Sequence, residues 1–229
     1  MTRSARLVVG GALVAAALAV VLPTWLGGGP EPVPGTAKPE YAFLRVDRDT
    51  GRPVGWDRCR PIHLVVNIAG APPQWDDLLR QATAAVREAS GLKFVINGLT
   101  DDRDFLARSR DVGGPVLVGW APASELPQVA EDAGGFGRPV EREVGGVPRY
   151  VGGTVVLNGD LSSRWAGQSQ PDPIEIAQLM HVLGHLVGLD DVSSDDELMS
   201  GSGLHQLLYG PGDLAGLRRL GQLPCAGDD

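Results

Sequence analysis

The sequence has little cysteine: two residues, Cys59 and Cys225, in a chain of 229. A disulfide-dense scaffold is thereby excluded, and at most one internal bridge can form. It has no excess of basic charge. The formal net charge is -8 and the sequence pI about 5.0, which argues against nucleic acid, whose binders carry a basic footprint. Runs of like charge are absent, so nothing reads as a charged interaction tail. Internal repeats are absent too, which excludes a solenoid. What is present is an ordinary globular composition, 43% hydrophobic with a mean hydropathy of -0.02. The length suits one domain plus appendages.

Arg3 and Arg6 precede an uncharged stretch, residues 7–26, made mostly of Ala, Val and Leu. About 20 apolar residues form a helix of about 30 Å, enough to span a bilayer. The basic flank predicts that the rest of the chain lies outside the membrane. A signal anchor and a signal peptide share this pattern. The run is long for a signal h-region and no clean small-x-small cleavage site follows it, which favours an uncleaved anchor; cleavage would give a secreted protein. Residues 27–40 are rich in Gly and Pro and read as an extended spacer. The chain thus divides into an N-terminal segment 1–26, a linker 27–54 and a domain 55–229. Cys59 and Cys225 flank that domain. In an exported domain such a pair suits a disulfide joining its ends, the alternative being two unrelated thiols.

The most informative stretch is His181-Val182-Leu183-Gly184-His185-Leu186-Val187-Gly188-Leu189-Asp190-Asp191. Residues four apart stack on one face of a helix, so His181 and His185 can bind one metal ion from the same side. Gly188 suits a left-handed helix end that turns the chain back and carries Asp191 toward the same point. Asp172, Pro173 and Glu175 open this helix as N-cap, first helical residue and partner in a capping box. That gives Glu175 a structural task. Met199 follows in a tight turn.

This stretch resembles the metzincin zinc-peptidase signature, H-E-x-x-H-x-x-G-x-x-H with a following Met-turn, and most closely the matrixin branch. The resemblance implies that His181 and His185 are zinc ligands, Gly188 the turn glycine and Met199 the Met-turn residue. Asp191 stands where the third histidine belongs, and aspartate is a legitimate zinc ligand. Asp190 competes for that role, though the family spacing favours Asp191. The general-base glutamate falls on Val182, which cannot accept a proton. Gln178, one turn earlier, is an amide, and Glu175 lies about 10 Å back along the axis. No local carboxylate replaces the base.

Around the motif, Ile62-His63-Leu64-Val65-Val66-Asn67 alternates as a strand. From Trp75 a helical stripe runs through Leu78, Leu79, Ala82, Ala85, Val86 and Ala89 and closes at Gly91. Residues 92–96 form a second strand, completing a parallel βαβ unit. Residues 116–120 are apolar throughout and therefore central, and residues 154–158 are a further strand. An edge strand near Gly134 to Pro139 is what the resemblance implies, an edge that pairs with extended substrate. Residues 211–220 form a last helix ended by Gly221.

The expected fold is α/β (α+β) and metzincin-like. It has a mixed twisted sheet of about five strands, one helix after the first strand, the histidine helix, a Met-turn and a C-terminal helix. The specific motifs lie within residues 172–221. The expected function is a membrane-anchored, extracytoplasmic, zinc-binding domain with no intact catalytic set, able to bind an extended peptide or protein. The alternatives are a working zinc endopeptidase whose base comes from elsewhere, and a metal-free structural surface domain. His63 reads as a surface histidine, and His205 and Tyr209 are set aside from the site.

Overall fold

The computed structural model describes residues 40–108, 114–130, 134–165 and 167–227. The anchor expected over residues 1–26 and the first part of the linker, residues 27–39, lie outside the described residues. Among the described residues, no helix is long and apolar enough to cross a membrane.

In chain order the elements are β1 (Ala42–Phe43), β2 (Gly55–Trp56), β3 (Ile62–Val66), α1 (Trp75–Ser90), β4 (Phe94–Leu99), α2 (Phe105–Arg108), β5 (Val116–Ala121), β6 (Gly135–Val144), β7 (Val147–Asn158), α3 (Gly159–Ser162), α4 (Pro173–Val187), β8 (Leu189–Asp190) and α5 (Pro211–Leu220). Six strands make the main sheet. β2, β7, β5, β3 and β4 follow in that order with parallel pairing throughout, and β6 adds to β7 antiparallel. This is the mixed α/β architecture expected, with the two-residue β2 as the addition.

The βαβ unit forms for the reasons its sequence gives. Residues Ile62, Leu64 and Val66 alternate inward on β3. The stripe on α1 buries Leu78, Leu79, Ala82 and Val86 completely, each large aliphatic side chain contributing about 1.5–3 kcal/mol. Gly91 ends α1 with φ 79° and its N–H donates to the Arg87 carbonyl at 2.7 Å. β4 then returns parallel to β3, two residues later than the apolar run suggests. β5 is buried along its whole length between β3 and β7.

The sheet has an unequal covering. α1, α4 and α5 pack on one face over the main core, which includes Leu64, Leu79, Trp120, Leu157, Leu183 and Leu217. A smaller cluster of Phe105, Leu117, Leu126, Val129, Phe136 and Val156 covers part of the other face. β6 extends the edge strand well beyond residues 134–139, as half of a long hairpin with β7. Gly137 seats α4. A Cβ on Gly137 would lie 2.1 Å from the Val182 carbonyl oxygen, so helix and strand meet backbone to backbone there.

Residues 40–54 correct the linker boundary. They belong to the folded unit rather than to a spacer. β1 pairs antiparallel with β8, Ala42 opposite Asp190 and Phe43 opposite Leu189, and Val46 bridges Pro53 around a tight turn. The composition of this stretch hides that role because a two-residue strand has no periodicity to read. The expected disulfide is present. Cys59 and Cys225 are bonded, with Cα atoms 5.5 Å apart.

Gly137→Ala tests the seating of α4. The added methyl meets backbone that cannot rotate away, so a loss of about 1–3 kcal/mol is expected in denaturant unfolding. An unchanged midpoint would show that α4 has room to move.

Candidate metal centre

α4 starts where the sequence places it. Asp172 is extended, with its carboxylate accepting from the Ile174 N–H at 2.9 Å, and Pro173 is the first helical residue. The capping box is not formed. Glu175 is fully buried, and neither carboxylate oxygen has a hydrogen-bond partner among the described residues. Burial pushes its pKa up; the Ser162 hydroxyl opposes that shift without reaching hydrogen-bond geometry, and Asp172 adds to it. The tertiary packing around the first turn therefore overrides the local cap preference. At the other end Gly188 has φ 122°, and its N–H donates to the Gly184 and His185 carbonyls. The chain then reverses into β8.

This turn brings three side chains together. His181, His185 and Asp191 each offer a ligand atom, all within 4.8 Å of one another. Both histidines use Nδ1 on a main-chain carbonyl, His181 on Leu198 at 2.9 Å and His185 on Leu189 at 3.0 Å. A carbonyl only accepts, so each Nδ1 is the protonated donor. In the neutral ring this leaves both Nε2 atoms unprotonated. Those two nitrogens are 3.1 Å apart. Two lone pairs at that distance repel unless a cation lies between them or one ring takes a second proton.

Asp191 completes the arrangement. Its Oδ1 lies 3.6 Å from His181 Nε2 and 3.5 Å from His185 Nε2. A tetrahedral zinc ion bonded at about 2.0–2.1 Å keeps its ligand atoms about 3.3–3.4 Å apart. The three atoms therefore fit such an ion in both spacing and chemistry. The His181 side chain is 3% exposed, His185 12% and Asp191 48%, so the group opens to solvent on the Asp191 side. Asp190 does not join this group. It sits in β8 and its carboxylate accepts from the Asp191 N–H at 2.9 Å.

The floor beneath the histidines is built by the Met199 turn. A Cβ on Gly184 would lie 2.4 Å from Met199 Sδ, so the thioether fills the space that glycine leaves between the two histidines. The turn is tied to α5 by an exchange of carboxylates that the sequence reading missed. Glu197 accepts from the Gly212 and Asp213 N–H groups at 2.8 and 2.9 Å, at the start of α5. Asp213 Oδ2 accepts from Leu198 at 2.7 Å, Met199 at 3.4 Å and Gly210 at 3.1 Å. The peptide on which Asp213 acts includes the Leu198 residue whose carbonyl holds His181. Asp213 is thus a positioning residue for that ring.

Val182 is fully buried in the main core, and its carbonyl oxygen faces Gly137. The side chain at the base position is committed to packing. Tyr209 is also occupied: its hydroxyl donates to the Met180 carbonyl at 2.7 Å, and burial raises its pKa well above the usual phenol value. His63 is exposed on β3, with Nδ1 2.9 Å from Asn97 Oδ1. His205 stands in a separate cluster, with its Nε2 2.9 Å from Ser202 Oγ. Ser202 donates its one hydroxyl proton to Asp195 at 2.7 Å, so it accepts from His205 Nε2–H. The Ser202 and Ser200 hydroxyls hold Asp195 below the usual carboxylate range.

Burial pushes the Asp213 carboxyl up to about 6 from 3.8, against the pull of its backbone donors, with Glu197 adding to the rise. The folded state then binds this proton more tightly than the unfolded chain. Stability from this group is greatest below about pH 4 and falls as pH rises through 6, by about 3 kcal/mol. Unfolding free energies of the wild type and Asp213→Asn, measured from pH 4 to 7, should diverge by that slope. Parallel curves would remove Asp213 as its source.

No protein-family model matches this chain, and no curated protein matches it either. Among solved structures it is similar to the archaemetzincin (amzA) of Methanopyrus kandleri, at 15% identity and a TM-score of 0.41, over 70% of this chain and 95% of that one. The likeness is loose, and what the site can do follows from its own side chains.

Proposed function

We propose that this protein is a matrixin-like, zinc-binding domain of the metzincin type whose peptidase chemistry is impaired, held outside the cytoplasm by its N-terminal segment. The observation that carries this reading is the pair of unprotonated Nε2 atoms 3.1 Å apart beside Asp191, with fully buried Val182 between them in sequence. His181, His185 and Asp191 would hold the ion. Bound zinc supplies Lewis acidity toward a carbonyl and acidifies its water. The chain itself orients His181 through the Leu198 carbonyl and His185 through the Leu189 carbonyl. It offers no carboxylate at position 182 to take a proton, a loss of about 10²–10⁴-fold in rate.

What such a site retains is binding. β6 lies against α4 and pairs with one strand, β7, among the described residues. The uncharged start of its remaining edge, Gly135–Gly137, ahead of Arg138 and Pro139, suits an extended peptide by strand addition. The apolar segment 7–26 with Arg3 and Arg6 before it supports the membrane anchor and the outward orientation, and the Cys59–Cys225 disulfide suits that compartment.

A second reading is a working endopeptidase, and one observation favours it. With Nε2 donating to Ser202, neutral His205 has its unprotonated nitrogen at Nδ1. This reading takes its base from elsewhere in the fold; His205→Ala tests that nitrogen, and abolished peptide cleavage with unchanged zinc content is the outcome it requires.

Metal analysis of the purified protein tests the leading proposal. One zinc per chain is expected, lost in His181→Ala and in His185→Ala. Chelation should lower the melting temperature, since a ligand at 100 times its dissociation constant stabilises by about 2.7 kcal/mol. Val182→Glu should raise cleavage of an unstructured peptide by about 10²–10⁴-fold. Zinc-dependent cleavage by the unmodified protein at or above the variant's rate would sink the impaired-site reading. A chain without zinc and unmoved by chelation would make it a metal-free surface domain.

A further inference from the structure

Two edge strands of the main sheet, β6 and β4, have opposite character. β6 carries Pro139 and the charged residues Arg138, Glu141, Arg142 and Glu143, the usual protection of an edge against pairing with another chain. β4 has none of this. Among the described residues it pairs with β3 alone. From Phe94 through Thr100 it carries no charge. Val95 is 42% exposed, Ile96 39% and Leu99 59%, and Ile68 beyond the end of β3 is 44% exposed. An uncharged edge of this kind presents unpaired backbone groups beside an apolar strip, which natural proteins cover.

We propose that β4 is the seam of a homodimer, in which two copies of this chain pair their β4 strands antiparallel about a two-fold axis and join their sheets. The charge pattern selects a second copy as the occupant. A chain with net charge -8 repels its own copies in general, and β4 is a neutral gap in that field. Exposed Lys93 precedes the strand and exposed Asp101 follows it. Antiparallel pairing sets the Lys93 end of each copy against the Asp101 end of the other, twice by symmetry. A parallel arrangement would set like charges together, which is unfavourable for directly opposed residues. An isologous contact is also the commonest closed assembly. The irregular pairing with β3 at Asn97 places a polar residue and Gly98 near the axis, where two strands must approach most closely.

The test uses the full chain. In light scattering the wild type should be dimeric, and Ile96→Lys, at a surface position, should be monomeric with an unchanged melting temperature. Lys93→Asp and Asp101→Lys should each weaken dimerisation about 10-fold, and the double variant should restore it. Under mild oxidation Asn97→Cys should give a covalent dimer, whereas Glu88→Cys on α1 should not. A wild type that stays monomeric overturns the proposal. So does a dimer that survives Ile96→Lys and gives no cross-link at position 97, because another surface or the N-terminal segment then holds the copies together.

Discussion

The structure turns on two imidazoles that are each held by one nitrogen. Nδ1 of His181 and Nδ1 of His185 donate to main-chain carbonyls, and the consequence is fixed by valence. Their Nε2 atoms face each other at 3.1 Å, and in the neutral rings each presents a lone pair to the other. Such an arrangement is costly unless something positive satisfies both nitrogens, so the surrounding structure has to impose it. Asp191 supplies negative charge to the same point.

The imposition comes from three directions. Below, Met199 packs into the notch at Gly184, and the turn that bears it is locked to α5 by the Glu197 and Asp213 carboxylates. Behind, Gly137 lets β6 touch the backbone of α4. Beside, β1 pairs with β8, the two residues just before Asp191. Each contact acts on a different degree of freedom: the depth of the rings, the position of the helix, and the path of the ligand-bearing loop. A centre held this way keeps its shape independently of whether chemistry follows.

Val182 separates holding from reacting. Its burial in the main core adds packing energy where a carboxylate would cost desolvation. The same helix also buries Glu175 without partners, so its one carboxylate lies two turns from the ligands and out of reach. α4 thus sets two imidazoles beside Asp191 and carries valine, not a carboxylate, at position 182.

The sequence alone determined what local chemistry determines. Asp172 and Pro173 fixed the start of α4 and Gly188 its end, because cap and left-handed preferences act over a few bonds. The i, i+4 spacing put both histidines on one face, and period-2 alternation marked β3, an unbroken apolar run β5 and a period-3.6 stripe α1. The choice of Asp191 over Asp190 rested on family spacing, and in the structure it is Asp191 that lies beside both histidines. Tertiary structure decided the rest. Glu175 reads as a cap from its neighbours yet lies buried against elements distant in sequence. Residues 40–54 read as a spacer, since a two-residue strand carries no period, yet β1 braces the ligand loop. Asp213 and Glu197 look like two ordinary acidic residues. Their exchange exists because the fold sets the Met199 turn against the start of α5, leaving backbone N–H groups of each without a helical or sheet partner. Only a through-space contact could satisfy them, and no local pattern encodes one.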